Sequence, residues 1–105
     1  MDKAQVVELV REFASRARQT LDVRQVILFG SHARGNATSY SDIDVAVVIG
    51  TPPDDWLEAS ANLFRLRRDI SLAIEPVLID PSSDRSGFLE EIRRTGELIY
   101  DREAA

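Results

Sequence analysis

Five consecutive apolar residues, Val45-Ala46-Val47-Val48-Ile49, follow directly on the acidic pair of Asp42-Ile43-Asp44. Successive side chains of a strand point to opposite faces. A strand that is apolar at every position is therefore buried on both sides. A chain containing it must build a sheet covered on both faces, with this run in the interior. The two acids at its start stand at i and i+2, on one face, about 6–7 Å apart. Paired like charges at the mouth of a buried strand are costly unless a cation sits between them. The chain has no cysteine, and oxygen ligands point to a hard ion, Mg²⁺ or Mn²⁺. Two carboxylates at this spacing can share a pair of divalent cations about 3.5–4 Å apart.

The rest of the chain supplies that cover. Val6, Val10, Phe13 and Ala17 recur at helical spacing, which predicts an amphipathic helix over 2–19. Val23 to Phe29 reads as a strand, ended by Gly30-Ser31. Ser31 to Gly35 suits a short helical turn, and Asn36 to Ser41 a polar loop in which Ser41 caps the entry to the next strand. Asp42 to Ile49 is the central strand, broken by Gly50-Thr51-Pro52-Pro53. Asp54 can cap a helix running to about Arg68, with Leu57, Ala61, Phe64 and the stem of Arg68 on its inner face. Ile70 to Ile79 reads as a third strand, where Pro76, lacking a donor, suggests an edge or a bulge. Asp84 or Ser86 opens a last helix carrying Phe88, Leu89 and Ile92 and ending near Gly96; Leu98-Ile99-Tyr100 is a short strand. The alternation implies an α/β fold, a small mixed β-sheet with flanking helices. It is not a Rossmann fold, because no G-x-G-x-x-G follows the first strand.

With 105 residues, 44% of them hydrophobic, the chain is expected to form a single domain, 1–105. The amino terminus has neither the basic start nor the apolar core of a signal peptide. No apolar run approaches the length of a membrane span, so a cytoplasmic protein with no membrane partner is expected. The net charge of −5 and pI near 4.8 disfavour a nucleic-acid partner. Arg65, Arg67 and Arg68, and Arg93 and Arg94, read as solvated helix faces. Trp56 and Phe64 read as core, although Trp56, near a helix start, also suits a partner contact. His32 is the only histidine; it reads as solvent-facing and cannot by itself support a His-based metal site or a triad.

Gly30 and Ser31 lie where a strand ends just upstream of the acids. Glycine lets the backbone approach a phosphate, and serine adds a hydroxyl donor. Arg34 can either reach an outer phosphate or pair with a nearby acid. Glu75 is an acid inside an otherwise apolar strand, which calls for a cation or a partner.

Leu28-Phe29-Gly30-Ser31-His32-Ala33-Arg34-Gly35, followed by Ser41-Asp42-Ile43-Asp44-Val45, resembles the signature of the polymerase-β-type nucleotidyltransferase superfamily. It is most similar to the minimal nucleotidyltransferases, the MNT proteins. Phe88 to Ile92 and Gly96 to Tyr100 resemble that family's last helix and strand, so the likeness covers nearly the whole chain. The resemblance implies a nucleotidyltransferase fold, two Mg²⁺ ions held by Asp42 and Asp44, and a nucleoside triphosphate, usually ATP, at Gly30, Ser31 and Arg34. It implies in-line attack of an acceptor hydroxyl on the α-phosphate with release of pyrophosphate. It also implies a third carboxylate, a metal ligand and possible base, which Glu75 matches better than Asp80. In the family the partner is a HEPN-type toxin, an RNase that the MNT antitoxin adenylylates and neutralises in a hetero-oligomer. The family's usual third acid is Asp. The longer stem of Glu75 favours an alternative, a module that neutralises its partner by binding alone. Transfer to a small molecule is disfavoured, because a chain of this length leaves no room for a substrate domain.

Overall fold

The computed structural model describes residues 1–104. Strands β1 (Val23–Phe29), β2 (Ile43–Ile49), β3 (Ile74–Ile79) and β4 (Glu97–Asp101) form one sheet in the order β3-β2-β1-β4. β1 runs antiparallel to β2 and β4, whereas β2 and β3 are parallel, so the sheet is mixed. Helix α1 (Lys3–Ala17) precedes β1, and α2 (Ser31–Arg34), α3 (Trp56–Leu66) and α4 (Phe88–Thr95) each connect successive strands.

β2 occupies the interior position that its unbroken apolar run requires. Ile43, Val45, Val47 and Ile49 face a core built with Val6, Val10, Phe13 and Ala17 of α1 and Leu63 of α3. Ala46 and Val48 face a second core with Ile27, Ile79 and Leu89 and Ile92 of α4. Each fully buried valine or isoleucine contributes about 1.5–3 kcal/mol. The run from Val45 to Ile49 thus outweighs the cost of opening the strand with acids.

α1 begins at a capping box. Asp2 Oδ1 accepts from the Gln5 amide, and Gln5 Oε1 accepts from the Asp2 amide, both at 2.8 Å. α4 is anchored by both candidates named from the sequence: Asp84 Oδ2 accepts from the Leu89 amide at 2.9 Å, and Ser86 Oγ from the Phe88 amide at 3.2 Å. β3 is an edge strand, which is where Pro76 can do without a donor.

Three expectations are corrected. β3 starts at Ile74, not Ile70. Arg67 to Asp69 form a 3₁₀ turn, and the Arg67 guanidinium donates to the carbonyls of Leu72 and Ile74 at 3.2 and 2.8 Å, which consumes the preceding residues in a turn. The cap of α3 is Asp55 rather than Asp54, with Oδ1 accepting from the Glu58 amide at 3.0 Å. The inner face of α3 carries Leu63, with Ala59 and Leu66 packed beside it. Leu57 and Phe64 point outward, 81% and 39% exposed, and Trp56 is 40% exposed rather than core. Two apolar stripes of equal periodicity run along this helix. Periodicity cannot decide which one meets the sheet.

Candidate active site

β1 ends at Phe29, whose ladder partner on β2 is Asp44. The next residue, Gly30, takes φ 74° and ψ −154°, a conformation open essentially to glycine alone. A β-carbon at Gly30 would run into Oδ2 of Asp44. Gly30 therefore both makes the turn and vacates the space that the Asp44 carboxylate occupies. The two sequence motifs meet at this contact.

The third acid follows from register. Asp44 pairs with Glu75 across the parallel β2–β3 ladder. Phe29, Asp44 and Glu75 thus stand side by side on the face that carries Ala46 and Val77. α4 covers the rest of that face, and Phe88 packs edge-on against Phe29 with centroids 5.7 Å apart. Asp42, just ahead of β2, is exposed, while Asp44 and Glu75 are half-buried. The Asp44 carboxyl is held above the ordinary aspartate value by burial, and further by the negative charges of Asp42 and Glu75; His32 and Arg34 partly offset this. Such an oxygen-only, like-charged cluster fits a hard divalent cation, which Asp42 and Asp44 can hold.

Glu75 is adjacent but turned aside. Its Oε1 lies 3.2 Å from Nη1 of Arg67, the same guanidinium that secures the turn before β3. Among the described residues, no three His, Cys, Asp or Glu side chains are drawn close enough together to enclose an ion. Asp80, the other candidate third acid, lies at the far end of β3. There it caps the Pro81–Ser83 turn, accepting from the amide and hydroxyl of Ser82 at 3.0 and 2.8 Å.

Ser31 opens α2, where the first amides of a helix lack intrahelical partners. Its hydroxyl makes no hydrogen bond among the described residues. Arg34, on the last turn of α2, is exposed and makes no ion pair among the described residues, yet its charge is felt at Asp44. Of the two roles left open for it, the ion pair is not formed. Ser41 Oγ accepts from the Thr38 amide at 2.9 Å, which closes the loop ahead of Asp42 rather than capping the strand itself.

Two residues of the site escaped the sequence reading. His32 is buried, 9% exposed, rather than solvent-facing, with Nε2 3.4 Å from the Ser41 carbonyl. α2 is a single turn folded against the ends of β1 and β2, so its second residue packs under the loop. Arg67 read as one of a solvated cluster, and its pairing with Glu75 had no local signal. The acid stranded in an apolar strand was the only hint that a partner existed.

Comparison with known proteins identifies the family and the fold. The family profile described as Polymerase beta, Nucleotidyltransferase matches residues 11–105. A Methanocaldococcus jannaschii relative named as a protein adenylyltransferase is 32% identical over 120 residues, spanning 98% of this chain and 77% of its own. The structure of a nucleotidyltransferase from Sulfolobus solfataricus superimposes with a TM-score of 0.70 at 20% identity, covering 98% of this chain and 86% of that one. A chain from the structure of tri-AMPylated Shewanella oneidensis HEPN toxin in complex with MNT antitoxin superimposes with a TM-score of 0.59 at 22% identity, covering 90% of this chain and 72% of that one. Since the profile runs through β1, the Gly30 turn, the acid pair and on to the end of the sheet, this chain belongs to the polymerase-β nucleotidyltransferase family.

Proposed function

We propose that residues 1–105 act as a single minimal unit that transfers AMP from ATP to a hydroxyl of a partner protein. The partner is a HEPN-type toxin, which the chain neutralises as its antitoxin within a hetero-oligomer. The observation that carries this reading is the contact of Gly30 with Asp44, which sets a phosphate-approach turn against the acid pair on one open face. The adenylyltransferase name of the Methanocaldococcus jannaschii relative and the AMPylated HEPN toxin of the neighbouring Shewanella oneidensis structure support the acceptor. No helix among the described residues is long and apolar enough to cross a membrane, in keeping with a cytoplasmic site of action.

In this reading Asp42 and Asp44, joined by Glu75 once it leaves Arg67, would hold two Mg²⁺ ions, which would neutralise charge on the phosphates and the attacking oxygen. The Gly30 backbone admits the triphosphate, the Ser31 hydroxyl donates to it, and Arg34 balances the charge of its outer phosphates. The acceptor oxygen bonds to the α-phosphorus as the bond to the bridging oxygen breaks and pyrophosphate leaves. The acceptor proton passes to the Glu75 oxygen that holds no metal.

One observation favours a second reading, a module that neutralises by binding without turnover. Glu75 is paired with Arg67 instead of converging with the two aspartates. Incubation with a HEPN-type partner, Mg²⁺ and α-labelled ATP separates the two. Label on the partner, lost in Asp42→Asn/Asp44→Asn, supports transfer. A stable unlabelled complex supports the module.

A further inference from the structure

Three acceptors meet one nitrogen at the entry to β3. Nη1 of Arg67 lies 2.8 Å from the Ile74 carbonyl, 3.2 Å from the Leu72 carbonyl and 3.2 Å from Oε1 of Glu75. A guanidinium amino group carries two hydrogens, so three acceptors cannot each receive a full hydrogen bond. The Ile74 carbonyl is nearest, and Leu72 and Glu75 share what remains. The guanidinium carbon also sits 4.9 Å from the ring centroid of Phe64. Arg67 is thus fixed by two backbone carbonyls and a ring, none of which depends on Glu75. The Glu75 contact is the weak member of the set. Its side chain is 42% exposed against 23% for Arg67, and an ion pair open to solvent contributes little.

Glu75 stands beside Asp44 on the ladder, yet its carboxylate pairs with Arg67 instead of converging with the aspartates. Without a cation, like charge resists the convergence of three carboxylates, and Arg67 gives Glu75 a counter-charge elsewhere. We propose, on the transfer reading in which Glu75 joins the aspartates, that Arg67 is a positioning residue. It is a fixed cradle that holds Glu75 aside until a divalent cation at Asp42 and Asp44 draws it across. Because Arg67 keeps its two carbonyls and its ring, the turn ahead of β3 survives the exchange, and only the Glu75 side chain moves. Arg67 and the cation compete for one carboxylate, so Arg67 lowers the cation affinity of the site.

Mn²⁺ alone, titrated into the full chain and followed as free ion by electron paramagnetic resonance, tests the competition. Arg67→Gln should bind Mn²⁺ about two- to fivefold more tightly than wild type, the range an exposed pair can supply. In a Glu75→Gln background the same substitution should change nothing. Arg68→Gln, which removes an exposed charge one residue on, should change nothing in either. A residue that only shapes the start of β3 would do the opposite, since its loss would misplace Glu75 and weaken binding. Nuclear magnetic resonance of wild type during a Mg²⁺ titration covers the case in which Arg67→Gln does not fold. The Glu75 carboxyl carbon should shift while the backbone amides of Ser71, Leu72 and Ala73 stay in place. Weaker or unchanged Mn²⁺ binding in a folded Arg67→Gln, a gain that persists in Glu75→Gln, or a Glu75 signal indifferent to Mg²⁺ would each overturn the proposal. Mn²⁺ binding that persists in Asp42→Asn/Asp44→Asn would overturn both it and the metal role of the aspartates. A wild type that shows the exchange but no AMP transfer to a HEPN-type partner would sink the transfer reading and leave the cradle standing.

Discussion

The contact between Gly30 and Asp44 makes a quantitative claim about both residues. Gly30→Ala forces a β-carbon into φ 74°, ψ −154°, which costs about 1–3 kcal/mol for a non-glycine residue. It also pushes the Asp44 carboxylate aside, and moving that side chain off its rotamer costs about 0.5–1.5 kcal/mol more. The total of roughly 2–4 kcal/mol should lower a urea midpoint by roughly 1–3 M for a protein of this size. In an Asp44→Ala background the nearest remaining atom of residue 44, its β-carbon, sits 3.4 Å from the new methyl, an ordinary contact. There Gly30→Ala should cost only the backbone part, leaving a coupling of about 1 kcal/mol in the double-mutant cycle. Gly35→Ala is the control. Gly35 has φ 80° and ψ 15°, and nothing lies within 4 Å of its added β-carbon, so it should cost about 1–2 kcal/mol whatever stands at position 44. A cycle that is additive within about 0.3 kcal/mol would refute the reasoning, because the turn would then not abut the carboxylate.

The remaining expectations concern the acids, the turn and the helix phase. Asp42→Asn/Asp44→Asn should abolish AMP transfer yet melt no lower than wild type without Mg²⁺. Because the folded Asp44 value is raised above the ordinary 3.8, the native state holds that proton more tightly than the unfolded chain. Asp44 therefore destabilises the metal-free protein above its folded value, and the advantage of Asp44→Asn in thermal melts should shrink as pH falls through that window. Glu75→Gln should slow transfer at least about 100-fold, or about 2.7 kcal/mol in barrier, with Glu75→Asp better tolerated; Gln activity equal to wild type would remove Glu75 from the chemistry. Ser31→Ala should fold normally and lose affinity for a non-hydrolysable ATP analogue in calorimetric titration with Mg²⁺, and unchanged binding would make the turn purely structural. Leu63→Ala should cost about 2–5 kcal/mol in denaturant unfolding, whereas Leu57→Ala should stay within about 0.5 kcal/mol.

What the sequence determined by itself is local. The bounds of β1, the single turn of α2 and the interior place of β2 were legible because each rests on a short-range rule. These are strand periodicity, a glycine needed at a turn, and a run with no polar face to offer solvent. The acid pair and the Gly-Ser turn were legible as a candidate site because their chemistry is unusual at a strand end, wherever the rest of the chain lies. Tertiary structure decided the relations between elements. The order β3-β2-β1-β4 brought Glu75 beside Asp44, and α2 folding over the strand ends buried His32. Leu57 and Leu63 lie on stripes of equal period, and packing with α1 and the sheet put Leu63, not Leu57, in the core. Arg67 met Glu75 because a 3₁₀ turn extended α3 alongside the start of β3. Periodicity reports how a segment can bury a face. Which face is buried, and which charge waits there, depends on partners distant in sequence.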